Sequence, residues 1–266
     1  MRSLKVVRIQ GGRRESAEEL LTEEVTLKLY AGDRRLASLL CSPADLEDLV
    51  RGFLFSLGVI ERAEQVRAVT VNRATWSAFL DLDPELGTDL PVLAGLVGSG
   101  CGSLPPPELR AGPPPLPEDG FRISARRIGE LMRELASLSE VHRRTGGVHS
   151  AALADEGGIR LFREDIGRHN AVDKVIGARL AEGGDFRRCL LLSSGRVSSE
   201  VLAKAARCRA PLLVSRTAPT DRSVEEARRL NLTLAGFVRG ERMNLYSAPE
   251  RVLSPEDRPI VTHPAI

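Results

Sequence analysis

Residues 146–177, GGVHSAALADEGGIRLFREDIGRHNAVDKVIG, decide how this chain folds. An apolar run from Val148 to Ala154 predicts a strand, and Asp155-Glu156-Gly157-Gly158 supplies a tight reversal. A second short strand, Ile159 to Phe162, runs through Arg163-Glu164-Asp165 into Gly167-Arg168-His169-Asn170, where a helix opens. One face of that helix carries Val172, Val175 and Ile176, with Asp173 and Lys174 beside them. Histidines, carboxylates and guanidinium groups therefore gather at strand ends and one helix start, the kind of edge where α/β folds bind ligands. Taken singly, each residue fits a solvated loop and a helix cap equally well. The density of polar groups beside apolar strands is what points to a site, with His149, Asp165 and His169 as candidates.

Outward from this stretch the pattern stays regular. Leu190–Leu192 reads as a strand, Ser198–Arg207 as a helix, Pro211–Val214 as a strand and Ser223–Leu230 as a helix. Leu232–Phe237 and Met243–Tyr246 are further strands. Such alternation predicts a parallel or mixed sheet with helices packed on it. Upstream, Ser124 caps a helix to Leu138 that turns Ile128, Leu131, Met132 and Leu135 inward. Nearer the start, Glu23–Tyr30 and Leu36–Ser42 form a hairpin. Ser42-Pro43-Ala44-Asp45 reads as a helix start, Ser as cap and Pro in the first position, for a helix stopping at Gly58. Val66–Val71 and Trp76–Leu82 add two strands. The expected organisation is a weakly ordered segment over 1–22, a small strand-rich unit over 23–97, a Gly/Pro-rich loop over 98–120, an α/β domain over 121–255 and a tail over 256–266.

Composition narrows the class of function. With 266 residues, 42% hydrophobic and 28% charged, the chain is an ordinary globular protein able to bury a sizeable core. A net charge of +2 supplies no global field toward nucleic acid or a membrane surface. The first residues lack the apolar core of a signal peptide, and no run approaches a membrane span, so a cytoplasmic protein is expected. Cys41, Cys101, Cys189 and Cys208 form no C-x-x-C pair, which argues against a disulfide framework or a structural zinc site. Lysine occurs only at 5, 28, 174 and 204; every other basic residue is arginine, a bias that a GC-rich genome largely accounts for.

Three segments carry chemistry. Cys101 lies in Gly98-Ser99-Gly100-Cys101-Gly102-Ser103, where glycines bare backbone N–H groups that could surround a sulfur anion. The other three cysteines sit in or beside apolar elements and read as core. Ser193-Ser194-Gly195-Arg196-Val197-Ser198-Ser199 follows a strand and precedes a helix, a plausible phosphate cradle with Ser194 and Arg196 at its centre. Phe237-Val238-Arg239-Gly240-Glu241-Arg242 joins two strands and could be a charged hairpin or a nucleotide-binding turn. The H-x-E and P-C-x-x-C elements of zinc nucleoside deaminases are missing, so no zinc chemistry is expected.

In order, TGGVHSAAL, EDIGRHNAVDK, SSGRVSSE and GFVRGERMNLYS resemble the formate dehydrogenase accessory sulfurtransferase family (FdhD), and CSPADLEDLVRGFLFSLGVI resembles its N-terminal signature. The likeness runs from about Glu23 to Arg251. It implies a cytidine-deaminase-like mixed α/β sheet with flanking helices, beside the smaller strand-rich N-terminal unit. It also implies transfer of sulfur, as a cysteine persulfide, from a cysteine desulfurase to the molybdenum bis(molybdopterin guanine dinucleotide) cofactor that formate dehydrogenase requires. In this family the persulfide forms on the first cysteine of C-G-x-C-G, which lands on Cys101. The cofactor's guanine nucleotide end falls to Phe237, Val238, Arg239, Gly240, Glu241 and Arg242. His149, Asp165, His169, Ser194 and Arg196 would line the same cleft.

One departure stands out: the family's second cysteine falls on Leu104, which removes a two-thiol relay within the loop. A non-catalytic chaperone that binds and delivers the cofactor therefore stays open as a rival. A nucleotide hydrolase is disfavoured by the missing zinc ligands. The oligomeric state is left open, a homodimer included.

Overall fold

The computed structural model describes residues 1–86, 96–97, 113–118 and 120–254. The first half holds strands β1 (Arg2–Gln10), β2 (Arg13–Leu21), β3 (Val25–Ala31) and β4 (Arg34–Cys41), helix α1 (Leu46–Leu57), and strands β5 (Val66–Asn72), β6 (Ser77–Leu82) and β7 (Leu96–Val97). The second half holds β8 (Ile123–Ser124), α2 (Ala125–Leu138), α3 (Glu140–Thr145), β9 (His149–Asp155), β10 (Gly158–Asp165) and α4 (Arg168–Ala181). It continues with β11 (Leu190–Ser193), α5 (Ser199–Arg207), β12 (Leu212–Ser215), α6 (Asp221–Arg229), β13 (Thr233–Arg239), β14 (Arg242–Ser247) and β15 (Val252–Leu253).

Six strands form the central sheet in the order β10-β9-β11-β12-β13-β14. β11, β12 and β13 are parallel, while β9 runs antiparallel to β11 and β10, and β14 antiparallel to β13. This is the expected mixed α/β sheet. Successive side chains of a strand point to opposite faces, and here they feed two cores. Ala152, Ala154, Leu190, Leu192, Leu212 and Val214 join Ile128, Leu131 and Leu135 of α2 on one face. Ala151, Leu153, Leu191 and Leu213 join α1, α4 and α5 on the other. That second core also takes in β3 and β4 of the five-stranded sheet, order β5-β6-β3-β4-β7, so α1 and α4 are sandwiched between two sheets.

The α1–α4 crossing sets the geometry of the molecule. A Cβ on Gly52 would overlap the carbonyl oxygen of Asp173, and one on Gly177 that of Asp48. The backbones meet because neither helix has a side chain there. Two ion pairs flank the crossing, one fully buried and one partly buried. Lys174 Nζ lies 2.7 Å from Asp165, with both side chains fully buried. Lys204 of α5 lies 2.5 Å from Asp173, which also accepts from Ser56 of α1 at 2.6 Å.

Two expectations need correction. Residues 1–22, expected to be weakly ordered, contain a nine-pair antiparallel ladder between β1 and β2. Its two-residue turn is Gly11-Gly12, with φ of 58° and 77°, the left-handed geometry a tight hairpin requires and glycine adopts without strain. The helix expected to start at Ser42 starts at Leu46 instead, with Asp45 at its N-cap in a left-handed conformation and no side-chain cap. Ser42 is unavailable because its N–H and hydroxyl both bond to Asp165, each at 3.0 Å. Elsewhere Ser124, Ser198 and Thr220 cap α2, α5 and α6 through their hydroxyls, and Gly58 ends α1 as expected.

Candidate functional site

The parallel strands β11, β12 and β13 end at one edge of the sheet, where antiparallel β9 begins. His149 opens β9 and pairs with Asp165 at the end of β10. Beyond β11, Ser194 N–H donates to the Ser150 carbonyl at 2.9 Å. The Ser194 hydroxyl accepts from Ser150 N–H at 2.8 Å and stands 3.5 Å from His149 Nδ1. Gly195 is needed next, since a Cβ there would come within 2.7 Å of the Arg168 side chain at the start of α4. Arg196 is exposed, and Ser198 caps α5.

His169, one residue into α4, faces this turn. Its Nε2 lies 3.2 Å from both the Ser198 hydroxyl and a Glu200 carboxylate oxygen. The ring is buried and Nδ1 has no hydrogen-bond partner. The N-termini of α4 and α5 thus converge on one histidine, with Arg168 and Arg196 alongside, and helix N-termini favour anions. The field is visible at His149. Burial first, and then the neighbouring Arg168, His142, His169 and Arg196 side chains, hold its pKa below the ordinary histidine value.

A chain of hydrogen bonds carries the edge across to β13. Ser215 donates from its hydroxyl to the Gly195 carbonyl at 2.7 Å, and Thr217 N–H donates to Ser215 Oγ at 3.0 Å. Phe237 N–H donates to the Thr217 carbonyl at 3.1 Å. Phe237 itself has a left-handed φ of 55° and keeps 39% of its surface exposed. Beyond it, Arg239, Glu241 and Arg242 are exposed and form no ion pair among the described residues, while α2 backs the turn where Gly129 touches the Gly240 carbonyl. Two predicted residues behave differently from their neighbours. Val238 is buried against the α2 core and can offer a ligand only its backbone. Asp165, expected to line the cleft, is fully buried. It accepts from Ser42, Gly167, Asn170 and Lys174, so it positions the start of α4 and has no exposed oxygen.

Cys101 and Leu104 lie outside the described residues. The other three cysteines are buried as expected. Burial pushes the Cys41 thiol up to about 12, with Asp165 adding to it, and raises Cys189 and Cys208 as well. Lys204 and Thr217 were not foreseen, and Asp173 and Lys174 were placed on the helix without a role. For the two lysines a signal existed: they are half of the chain's four lysines, one fully buried and the other partly buried, and each is ion-paired.

A cavity of about 290 Å³ lies elsewhere, lined by Thr22, Ser42, Asp45, Phe162, Arg163 and Glu164 among others. None of the predicted site residues lines it. Among the described residues no group of three or more His, Cys, Asp or Glu could hold a metal ion, and no helix is long and apolar enough to cross a membrane.

A family model described as FdhD/NarQ matches residues 22–253. The "Sulfur carrier protein FdhD" of Halalkalibacterium halodurans is 37% identical over 265 residues, covering 95% of each chain. That of Bacillus subtilis is 34% identical over 252 residues, 93% of this chain and 95% of the relative. Among solved structures, a protein from Desulfotalea psychrophila, provisionally described as a formate dehydrogenase accessory protein, superposes with a TM-score of 0.79 at 30% identity. The match covers 94% of this chain and 98% of that one.

Proposed function

The chain belongs to the FdhD/NarQ family, and from that premise we propose that it is a sulfur carrier in formate dehydrogenase maturation, a sulfurtransferase working through a persulfide on Cys101. The observation that carries the assignment to Cys101 is the state of the other cysteines. A sulfur carrier reacts as an accessible thiolate, and Cys41, Cys189 and Cys208 are buried with raised pKa values. Cys101 is the one cysteine left for the work.

The thiolate of Cys101 attacks the outer sulfur of a cysteine desulfurase persulfide. A new S–S bond forms on Cys101, the donor's S–S bond breaks, and the electron pair leaves on the donor's thiolate. The carried sulfur would then pass to the molybdenum bis(molybdopterin guanine dinucleotide) cofactor, here a substrate: the S–S bond on Cys101 breaks, its electron pair stays on the Cys101 thiolate, and the sulfur atom takes two electrons from the reduced metal of the acceptor. The cofactor's guanine nucleotide end suits Phe237, Arg239 and Arg242, an aromatic ring and two exposed guanidinium groups that form no ion pair among the described residues. Its phosphates suit the Ser193–Ser199 turn, where two helix N-termini and Arg196 meet. Four residues before Cys101, Val97 ends β7, which runs parallel to β4 with Val97 opposite Leu39. That end of β4 leads to Ser42 and Asp165, beside the start of α4. A cytidine-deaminase-like description of the sheet is supported by its order, an antiparallel β9–β10 pair followed by parallel β11, β12 and β13 with intervening helices.

Leu104, standing where the family has a second cysteine, favours one alternative, a chaperone that delivers the cofactor without carrying sulfur. Incubation with a cysteine desulfurase and cysteine, followed by peptide mass spectrometry, separates the two. The expected result is one added sulfur atom on the Cys101 peptide and none on Cys101→Ala protein. A desulfurase that becomes persulfidated while Cys101 stays bare defeats the carrier reading.

A further inference from the structure

Between the Ser193–Ser199 turn and the β13–β14 turn lies one more stretch of the sheet edge, Arg216-Thr217-Ala218-Pro219-Thr220, which joins β12 to α6. It is stitched to the neighbours on both sides. Toward β11, Arg216 N–H donates to the Ser193 carbonyl at 3.2 Å and Val197 N–H to the Ala218 carbonyl at 3.1 Å. Thr220 N–H returns a bond to the Val197 carbonyl at 3.0 Å, and Val197 and Pro219 form a parallel bridge. Toward β13, the Thr217 carbonyl accepts from Phe237 N–H at 3.1 Å. Gly236 allows this approach, since a Cβ there would lie 3.1 Å from both the Thr217 carbonyl oxygen and the Pro219 ring. Backbone fixed on two sides holds the two turns at a set separation, the preorganisation that a ligand with several parts requires.

Arg216 is the only charged residue of this stretch. The stitching uses its backbone N–H and not its side chain, which is exposed and forms no ion pair among the described residues. Where an arginine serves the architecture it meets an acid, as Arg163 meets Asp48 at 2.8 Å. A nucleotide is a base, a sugar and phosphates in line. With its base against Phe237 and its outer phosphate at the N-termini of α4 and α5, its sugar and first phosphate cross the stretch between. In a step that rests on the nucleotide reading of this edge, we propose that Arg216 binds the phosphate nearest the ribose, and that Arg196 binds the phosphate beyond it. A guanidinium fork suits that task, because it meets two phosphate oxygens with parallel hydrogen bonds. The sheet edge then reads the ligand in order along the strands: base at β13, first phosphate at β12, second phosphate at β11.

The test uses the full-length protein and three ligands that differ by one phosphate: guanosine, GMP and GDP. Calorimetry gives the affinities of GMP and GDP, and competition against GDP gives that of guanosine. In Arg216→Ala, and in the longer Arg216→Gln, the affinity gained from guanosine to GMP should fall about ten- to a hundredfold, the loss of one charge-assisted contact. The further gain from GMP to GDP should be kept. Arg196→Ala should do the reverse, keeping the first step and losing the second. Both Arg216 variants should melt with wild type, as substitution of an exposed side chain allows. An unchanged guanosine-to-GMP step overturns the proposal. A loss confined to the GMP-to-GDP step also overturns it, by putting Arg216 on the outer phosphate, and a lowered melting temperature makes Arg216 structural. The nucleotide reading fails in a different way. If wild type binds neither GMP nor GDP, the site itself is gone and Arg216 with it. If Arg239→Ala loses GDP while Arg216→Ala keeps it, the site stands and only Arg216 falls out of it.

Discussion

At the α1–α4 crossing, Asp165, Asp173 and Lys174 are sealed from water and every charge meets an opposite one. At the β13–β14 turn, Arg239, Glu241 and Arg242 stand in solvent without ion pairs among the described residues. Both regions read as charge clusters in the sequence, yet their physics differs. A buried charge is tolerated only when paired and hydrogen-bonded, so the first cluster is committed to holding helices together. Guanidinium groups left unpaired at an exposed turn keep their hydrogen-bonding capacity for a ligand. Burial therefore divides architecture from recognition more reliably than residue type does.

The contrast is best tested at Lys174. Lys174→Met should destabilise the fold by about 3–5 kcal/mol, because it leaves Asp165 charged, buried and uncompensated. Adding Asp165→Asn should restore part of the loss by removing that charge. Urea denaturation of the two variants reads both effects, and a Lys174→Met protein as stable as wild type would put the pair in the wrong class. Gly52→Ala comes next. Its Cβ would meet the Asp173 carbonyl, a backbone atom with no rotamer to change. The helices must part, at about 1–3 kcal/mol or more, and an unshifted melting temperature would show that the crossing is slack.

How far these features were legible depends on the scale of the signal. Strand alternation and helix periodicity are local, so the six-stranded sheet, the Ser124 cap and the Gly58 stop could be read directly. The Gly11-Gly12 turn was also local, but its flanking strands put charged and apolar residues on both faces and lack a half-buried pattern. Ser42 misled because a partner 123 residues away takes the hydroxyl that would have capped the helix. The same distance hid Asp165: a carboxylate in a polar run looks like a ligand group until the lysine beneath it is seen. Of the cleft residues, His149, His169, Ser194 and Arg196 do gather at one edge, since they follow strand ends that the topology places side by side. Val238 belongs to the core, as strand alternation past Phe237 would have shown.

On the recognition side, Arg239→Ala and Arg242→Ala should each weaken GDP binding about ten- to a hundredfold, the loss of one charge-assisted hydrogen bond of about 1.5–3 kcal/mol. Neither should alter urea stability, since both side chains are exposed. Calorimetry with GDP and a denaturation curve on the same preparations test both halves of the contrast. Unaltered GDP affinity in both variants places the nucleotide elsewhere, and a loss of stability would make the turn structural.

The smallest effect belongs to His149, which stands between the two regimes because it is half-buried. Its pKa is lowered in the folded protein, first by burial and then by Arg168, with His142, His169 and Arg196 adding to it. The unfolded chain, where the ring has its ordinary value near ~6.5, takes up a proton more readily. Stability from this group is therefore complete above about pH 6.5, falls as pH drops below it, and levels off under the folded pKa. Solvent screens a half-exposed ring, so less than about 1 kcal/mol is expected. His149→Gln should flatten this part of the curve between about pH 7.5 and 5.5, while groups common to both proteins cancel in the difference. Bound nucleotide adds a further test. Its phosphates would oppose the cations that face the ring, raise the His149 pKa and shrink the pH slope of wild type but not of the variant. A slope indifferent to nucleotide would separate His149 from the phosphate-binding edge.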